Sequence, residues 1–143
     1  MKARFGDLYL MTRPSNIDYG LRQFAVLHHT GVDHAHYDFM FDTADDSQLV
    51  TFRVVEWPLM GSQSASKLRD HRRAYLNFQG AIPGDRGQVH RTDEGKVHVI
   101  KTVSGWLLHH ASGNPWLLLE PPENGSENAE NWWMTRLDNP TAG

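Results

Sequence analysis

Four of the nine histidines in this chain fall within nine consecutive residues: His28, His29, His34 and His36. Asp38 follows two positions after the last of them. Aromatic residues alternate with others here and predict a β-strand over residues 36–41, in which His36 and Asp38 share one face. An imidazole and a carboxylate on one strand face supply two ligands for a divalent metal. His28, His29 or His34 would complete a set of two histidines and one carboxylate.

The elements that would position these residues are short strands separated by turns. We predict strands at residues 24–27, 36–41, 49–55, 87–92, 96–103, 106–109, 116–120 and 132–137. A hairpin turn at residues 93–95 would join two of them, and only residues 64–73 have a weak helical pattern. Residues 80–87 and 121–131 have the composition of turns and loops. Many short strands at a spacing of roughly ten residues favour a β-barrel or a sandwich over alternating helices and strands.

The composition limits the classes of function. The chain has 143 residues, which is enough for one domain with its own core, and no cysteine for disulfides, thiolate zinc sites or nucleophilic thiols. There is no run of about twenty apolar residues and no apolar signal region, so we expect a cytoplasmic protein without membrane contact. The net charge is −3, and nucleic-acid contact would need a local basic patch such as residues 67–73.

Several motifs occur in an order that resembles the phosphoesterase domain of bacterial DNA ligase D and its free-standing relatives. They are FAVLHH ending at His29, HYDF starting at His36, an Asp-His pair ending at His71 with Tyr75 four residues later, and the stretches FQGAIP and GQV. They extend over roughly residues 24–100. The resemblance implies that residues 1–143 form a compact single-domain β-barrel with little helix. It also implies a repair activity that removes a 3′-phosphate or a terminal ribonucleotide from DNA or RNA.

The metal site implied by the resemblance uses residues of the histidine cluster. The metal of this family, usually manganese, would be bound by His29, His36 and Asp38, with His28 as an alternative to His29. Other divalent metals would suit the same ligands, and no further cofactor is required.

The phosphate-binding residues implied by the resemblance follow later in the chain. His71 and Tyr75 would contact the scissile phosphate. The family has an arginine two positions after the metal-binding aspartate, where this chain has Met40. Arg53 on the neighbouring predicted strand is the candidate for the missing positive charge. Further candidates lie in the basic patch: Arg69, Arg72 and Arg73.

We expect a monomer whose partners are DNA or RNA 3′ ends, with a DNA ligase or polymerase on a separate chain. Two other functions fit the same residues. A non-haem iron oxygenase would combine His36 and Asp38 with a distal His90 or His98, and would consume 2-oxoglutarate. A metal- or nucleic-acid-binding module that has lost catalysis would bind DNA without turnover.

Overall fold

The structure, a computed structural model, describes residues 16–43, 48–123 and 130–138 of the chain. Its strands, in chain order, are β1 (Ile17–Thr30), β2 (His36–Asp42), β3 (Gln48–Val54), β4 (Ser62–Lys67), β5 (His71–Arg72), β6 (Gly80–Ala81), β7 (Gln88–Lys101), β8 (Trp106–His110), β9 (Pro115–Glu120) and β10 (Asn131–Arg136). A short 3₁₀ helix, Arg73–Leu76, follows β5.

Eight of these strands form a closed antiparallel barrel in the order β1-β2-β3-β4-β10-β9-β8-β7. The barrel closes because β7 pairs with β1 along the whole of both strands, from Ile17 opposite Lys101 to Thr30 opposite Gln88. β5 pairs with β3, and β6 pairs with β7, outside this ring. The predicted β-barrel with little helix is therefore confirmed.

Aromatic rings fill the inside of the barrel. The interior cluster includes Phe24, Phe39, Phe41, Phe52, Trp106, Trp116 and Trp132. Many of these rings meet edge to face, with centroids 5.1 Å apart for Phe41 and Trp106 and 5.0 Å apart for Phe52 and Trp132. Such pairs add to the stabilisation from burial alone. A substrate inside the barrel would have to displace these rings.

One part of the barrel wall is also covered on its outer face. On β1, Phe24 and Val26 belong to the interior cluster, whereas Ala25 and Leu27 pack in a second cluster outside the barrel. We call residues 68–87, which include β5, the 3₁₀ helix and β6, the outer layer. Leu76 from this layer completes the second cluster over β1–β3 and the start of β7. A surface between the barrel and this layer is thus available for a site.

The predicted hairpin at residues 93–95 is wrong, because β7 is one continuous strand of 14 residues. Its turn-like residues have other functions in the sheet. Gly95 lies opposite Phe24, and a Cβ atom there would stand 3.1 Å from the Phe24 ring, so glycine leaves room for the phenyl group. The Asp93 carboxylate accepts a hydrogen bond from Trp57 Nε1 at 3.2 Å.

The weak helical prediction for residues 64–73 is also wrong. β4 alternates in this region, with Ala65 buried opposite Trp132 of β10, and serine side chains exposed on either side of it. Serine has a modest helix propensity, and pairing with β3 and β10 outweighs it. The predicted strands outside β7 are confirmed with ends shifted by at most one residue, except that the strand predicted at residues 24–27 extends over Ile17–Thr30.

Part of the predicted loop at residues 121–131, namely residues 124–129, lies outside the described residues, as do residues 1–15, 44–47 and 139–143. None of the described segments contains a helix with the length and apolar character needed to cross a membrane.

Candidate metal centre

Three metal-donor side chains meet on the outer face of the barrel, at the point where β1 ends and β2 begins. His29 lies directly opposite His36 in the β1–β2 ladder, and Asp38 follows on the same face of β2. One donor atom of each residue lies within 4.8 Å of the other two. Ligands about 2.1 Å from a common ion are at most about 4.2 Å apart, so small side-chain rotations would bring these three around one metal.

A backbone carbonyl fixes the tautomer of His36. The Nδ1–H group of His36 donates to the carbonyl oxygen of His34 at 2.9 Å, which leaves the lone pair on Nε2. This Nε2 is buried, has no hydrogen-bond partner among the described residues, and lies 3.8 Å from Asp38 Oδ1. Burial lowers the pKa of His36, against the opposing effects of the His34 carbonyl and Asp38. A buried lone pair of a neutral imidazole facing a carboxylate fits a metal ligand.

A second carbonyl fixes His29 in the opposite tautomer. Its Nε2–H group donates to the carbonyl oxygen of Arg86 at 2.7 Å, so Nδ1 carries the lone pair available to a metal. The hydrogen bond between His29 and the Arg86 carbonyl requires glycine at the next position, Gly87. A Cβ atom on Gly87 would stand 2.2 Å from the Thr30 carbonyl oxygen and 3.1 Å from His29 Nε2.

Asp38 is a buried carboxylate with a cationic neighbour. Only 5% of its surface is exposed, and Arg53, its ladder partner on β3, donates from Nε to Oδ1 at 3.1 Å. A buried charge is tolerated when it is paired, which explains why arginine stands here. Two imidazole nitrogens and one carboxylate oxygen form a donor set that suits manganese, iron or zinc.

Two of the donor residues, His29 and Asp38, lie in one wall of a cleft of about 170 Å³, and the outer layer forms the other wall. The side chains that line it are Leu27, His29, Asp38, Arg53, His71, Tyr75, Ile82, Arg86 and Val89. The rings of His71 and Tyr75 are 5.5 Å apart, and His71 Nδ1–H donates to the Arg69 carbonyl oxygen at 3.1 Å. The Nε2 atom of His71 is left to interact with a ligand. Two of the predicted metal ligands, His29 and Asp38, therefore border the same cleft as the predicted phosphate residues, whereas His36 is outside its lining.

The other histidines considered from the sequence lie elsewhere. His28 stacks on Tyr37 with ring centroids 4.3 Å apart, whereas His29 contacts His36, so His28 does not replace His29. His34 is exposed and contributes only its carbonyl group. Neither His90 nor His98, the distal ligands of the oxygenase hypothesis, belongs to the donor group.

The arginines considered from the sequence differ in their surroundings. Arg73 forms an ion pair with the buried Asp42, and the side chains of Arg69 and Arg72 are exposed outside the cleft lining. Met40 is fully buried in the second cluster. The cationic side chains that line the cleft are those of Arg53 and Arg86.

Arg86 and Gly87 are the residues that sequence reasoning missed. Residues 80–87 have the composition of turns, and nothing local in GDRG indicates contact with a histidine 57 positions earlier. The glycine on each side of the Asp-Arg pair was the available signal, because glycine often allows close backbone approach.

Neither a protein-family model nor a curated protein matches this chain.

Proposed function

We propose that this chain is a metal-dependent phosphoesterase that acts on the 3′ ends of DNA or RNA and removes a 3′-phosphate or a terminal ribonucleotide. One observation carries the proposal: two members of the metal-donor set, His29 and Asp38, border a single cleft together with a histidine, a tyrosine and two arginines. Hydrolysis of a phosphate ester requires positive charge for the phosphate oxygens and a proton for the leaving oxygen. These side chains supply both.

His29, His36 and Asp38 would hold the divalent ion, for which we propose Mn(II). Such an ion, when bound, polarises a phosphoryl oxygen and lowers the pKa of water enough to supply hydroxide near neutral pH. The backbone carbonyls of His34 and Arg86 keep both imidazoles in the tautomers that this role requires. Arg53 holds Asp38 in place and balances its charge.

His71 and Tyr75 would act on the substrate from the opposite wall. The Nδ1–H bond of His71 to the Arg69 carbonyl orients the ring, so that its imidazolium form would donate the Nε2 proton to the leaving 3′ oxygen and become the neutral imidazole. The tyrosine hydroxyl is a donor for a phosphate oxygen. A chain with a net charge of −3 needs local cations to attract nucleic acid, and Arg69 and Arg72 offer exposed ones on either side of His71.

The test is turnover of defined 3′ ends. Purified protein with Mn(II) should release inorganic phosphate from a primer–template that ends in a 3′-phosphate, and leave a 3′-hydroxyl. That product is a substrate for a separate ligase or polymerase. A matched substrate with one 3′-terminal ribonucleotide tests the second activity, and Asp38→Asn is the negative control.

Absence of product with Mn, Co, Zn and Mg would overturn the proposal. Tight DNA binding in the same samples would then indicate a non-catalytic module. Consumption of 2-oxoglutarate with Fe(II) would instead indicate an oxygenase.

A further inference from the structure

Arg86 lies in a loop whose conformation is fixed by its own backbone. The Ile82 N–H group donates to the Gly87 carbonyl oxygen at 2.8 Å, which closes the loop between β6 and β7. Inside it, Arg86 Nε donates to the Pro83 carbonyl oxygen at 2.8 Å. The loop thereby fixes one side of the guanidinium group, and this lowers the entropy that Arg86 would lose on binding a ligand.

The charge of Arg86 is not balanced by an acidic group in the part of the chain that the structure describes. Among the described residues, the Arg86 side chain is hydrogen-bonded to a neutral carbonyl group. The other arginine of the cleft, Arg53, is paired with Asp38. Arg73 of the outer layer is likewise paired, with Asp42. Of the two arginines that line the cleft, Arg86 is thus the one whose positive charge is available to an anion.

The backbone of Arg86 contacts the metal-donor set directly. Its carbonyl oxygen accepts the hydrogen bond from His29 Nε2 at 2.7 Å. The close approach of Gly87 to Thr30 and of Gly31 to Gly87 fixes the distance between this loop and the end of β1. A guanidinium group and a metal ligand are therefore positioned by the same short segment.

We propose that Arg86 is the phosphate-binding arginine of this cleft, and that its guanidinium group positions a phosphate between the metal-donor set and His71. The inference rests on the proposed function, and it names the residue that selects a phosphate ligand there. Arg53 is, by contrast, a positioning residue for Asp38. Guanidinium groups suit this task because two parallel N–H donors match two phosphate oxygens.

The test is phosphate binding by the metal-free full-length protein, measured by calorimetry and by ³¹P NMR in the presence of a chelator. Arg86→Gln should weaken binding of inorganic phosphate about 10- to 100-fold, as expected for loss of a charged hydrogen bond. Arg86→Lys keeps the charge but loses the paired donors. Its affinity for phosphate should therefore lie between those of the parent and Arg86→Gln. Lys96→Gln removes an exposed cation outside the cleft lining, and its affinity for phosphate should stay within about twofold of that of the parent.

The Arg86 assignment is overturned if Arg86→Gln binds phosphate as well as the parent does, or if the parent binds none at millimolar concentration. The proposed function has a separate outcome. Phosphate binding that depends on Arg86, without turnover of any 3′ end, would support the Arg86 assignment and contradict the proposed phosphoesterase activity. Turnover that is unchanged in Arg86→Gln would contradict the Arg86 assignment and would leave the proposed phosphoesterase activity in place.

Discussion

The two histidine groups of this barrel differ in what their imidazoles are bonded to. In the metal-donor set, the hydrogen-bond partners of His29 and His36 are backbone carbonyls. The second group lies on β7 and β8 and consists of His98, His109 and His110. There, His98 Nε2 is 2.6 Å from Asp18 Oδ1, and His110 Nε2 is 2.8 Å from Asp138 Oδ2.

His109 is the member of the second group that most resembles His36. Its Nε2 is also buried and without a hydrogen-bond partner among the described residues. The carboxylate that acts on it, Asp18, already accepts hydrogen bonds from His98 and from the Gly20 N–H group. In the described residues, only the set around Asp38 brings three metal-donor atoms together.

The difference teaches that a metal site is distinguished by the hydrogen-bond partners of its histidines more than by the number of histidines. A carbonyl occupies only the N–H group of an imidazole and leaves both the ring lone pair and nearby carboxylates available. A carboxylate bonded to the imidazole is occupied by that bond. The metal-donor set keeps both ring lone pairs beside Asp38, whose carboxylate is bonded to Arg53 and not to an imidazole, whereas His98 and His110 are each bonded to a separate carboxylate.

The largest expected effect separates the histidine of the cleft from those of the second group. His71→Ala should reduce the rate of phosphate release about 10²- to 10³-fold, because a positioned donor to the transition state is lost. Affinity for Mn(II) should change little, since His71 is not in the donor set. His110→Ala is the control. Steady-state kinetics on the 3′-phosphate primer–template measures the rate of phosphate release by both variants. An equal loss in both variants would contradict the assignment of His71.

The next effect tests metal binding itself. Asp38→Asn and His36→Ala should each weaken Mn(II) binding by more than about 100-fold, since each removes a direct ligand. His98→Ala, in the second group, should bind Mn(II) as the parent does. Calorimetry measures the affinity, and circular dichroism confirms that the variants are folded. Unchanged affinity in folded Asp38→Asn would show that the metal site is misassigned.

A smaller effect should follow from moving the carbonyl partner of His29. Gly87→Ala places a methyl group against the Thr30 carbonyl oxygen, and should weaken Mn(II) binding about tenfold. Gly84→Ala is a matched control in the same loop, because Gly84 also has a positive φ but its Cβ would meet only Arg86 Nε at 3.8 Å. Both variants should lose about 1 kcal/mol or more of stability from backbone strain, and only Gly87→Ala should lose metal affinity. Equal metal affinity in the two would exclude a role for the loop in orienting His29.

The smallest effect concerns pH and the second group. Burial, with the charge of His98, lowers the pKa of His109 below its ordinary value of 6.5. The folded state then binds fewer protons than the unfolded state, so this contribution to stability is present above pH 6.5 and is lost as the pH falls below it. In His109→Gln, the fall in melting temperature between pH 7 and pH 5 should therefore be shallower. His90→Gln makes the same substitution at an exposed position and is the control. The expectation would be contradicted if the melting temperature of His109→Gln fell between pH 7 and pH 5 as steeply as that of the parent.

The strands and the pairing of His36 with Asp38 were predictable from the sequence because they depend on local alternation, whereas the choice of His29 as third ligand and of a barrel over a sandwich came from the resemblance to known motifs. His36 and Asp38 share a face in any strand, and the apolar residues before His29 indicate another strand close by in the chain. One error came from a residue type with two uses. Gly95 was taken as a turn residue, but it is a strand residue that makes room for a phenyl ring from β1.

The part of the cleft supplied by Arg86 could not be predicted from local patterns. Its position depends on the register between β1 and β7 and on the closed loop before β7. The same applies to Arg53, whose bond to Asp38 follows from the β2–β3 register. A sequence contains both arginines but does not state which of them is already bonded to a carboxylate.

The cover over β1–β3 has a consequence for local opening. The metal-donor residues lie on long barrel strands, but His71 and Arg86 belong to an outer layer whose two strands contain two residues each. Segments with few backbone hydrogen bonds open with a lower free energy than the strands they cover. Backbone amides of residues 68–87 should therefore exchange with deuterium before those of β1 and β2. The protein would then open and close the outer wall of the cleft many times during the lifetime of one folded barrel.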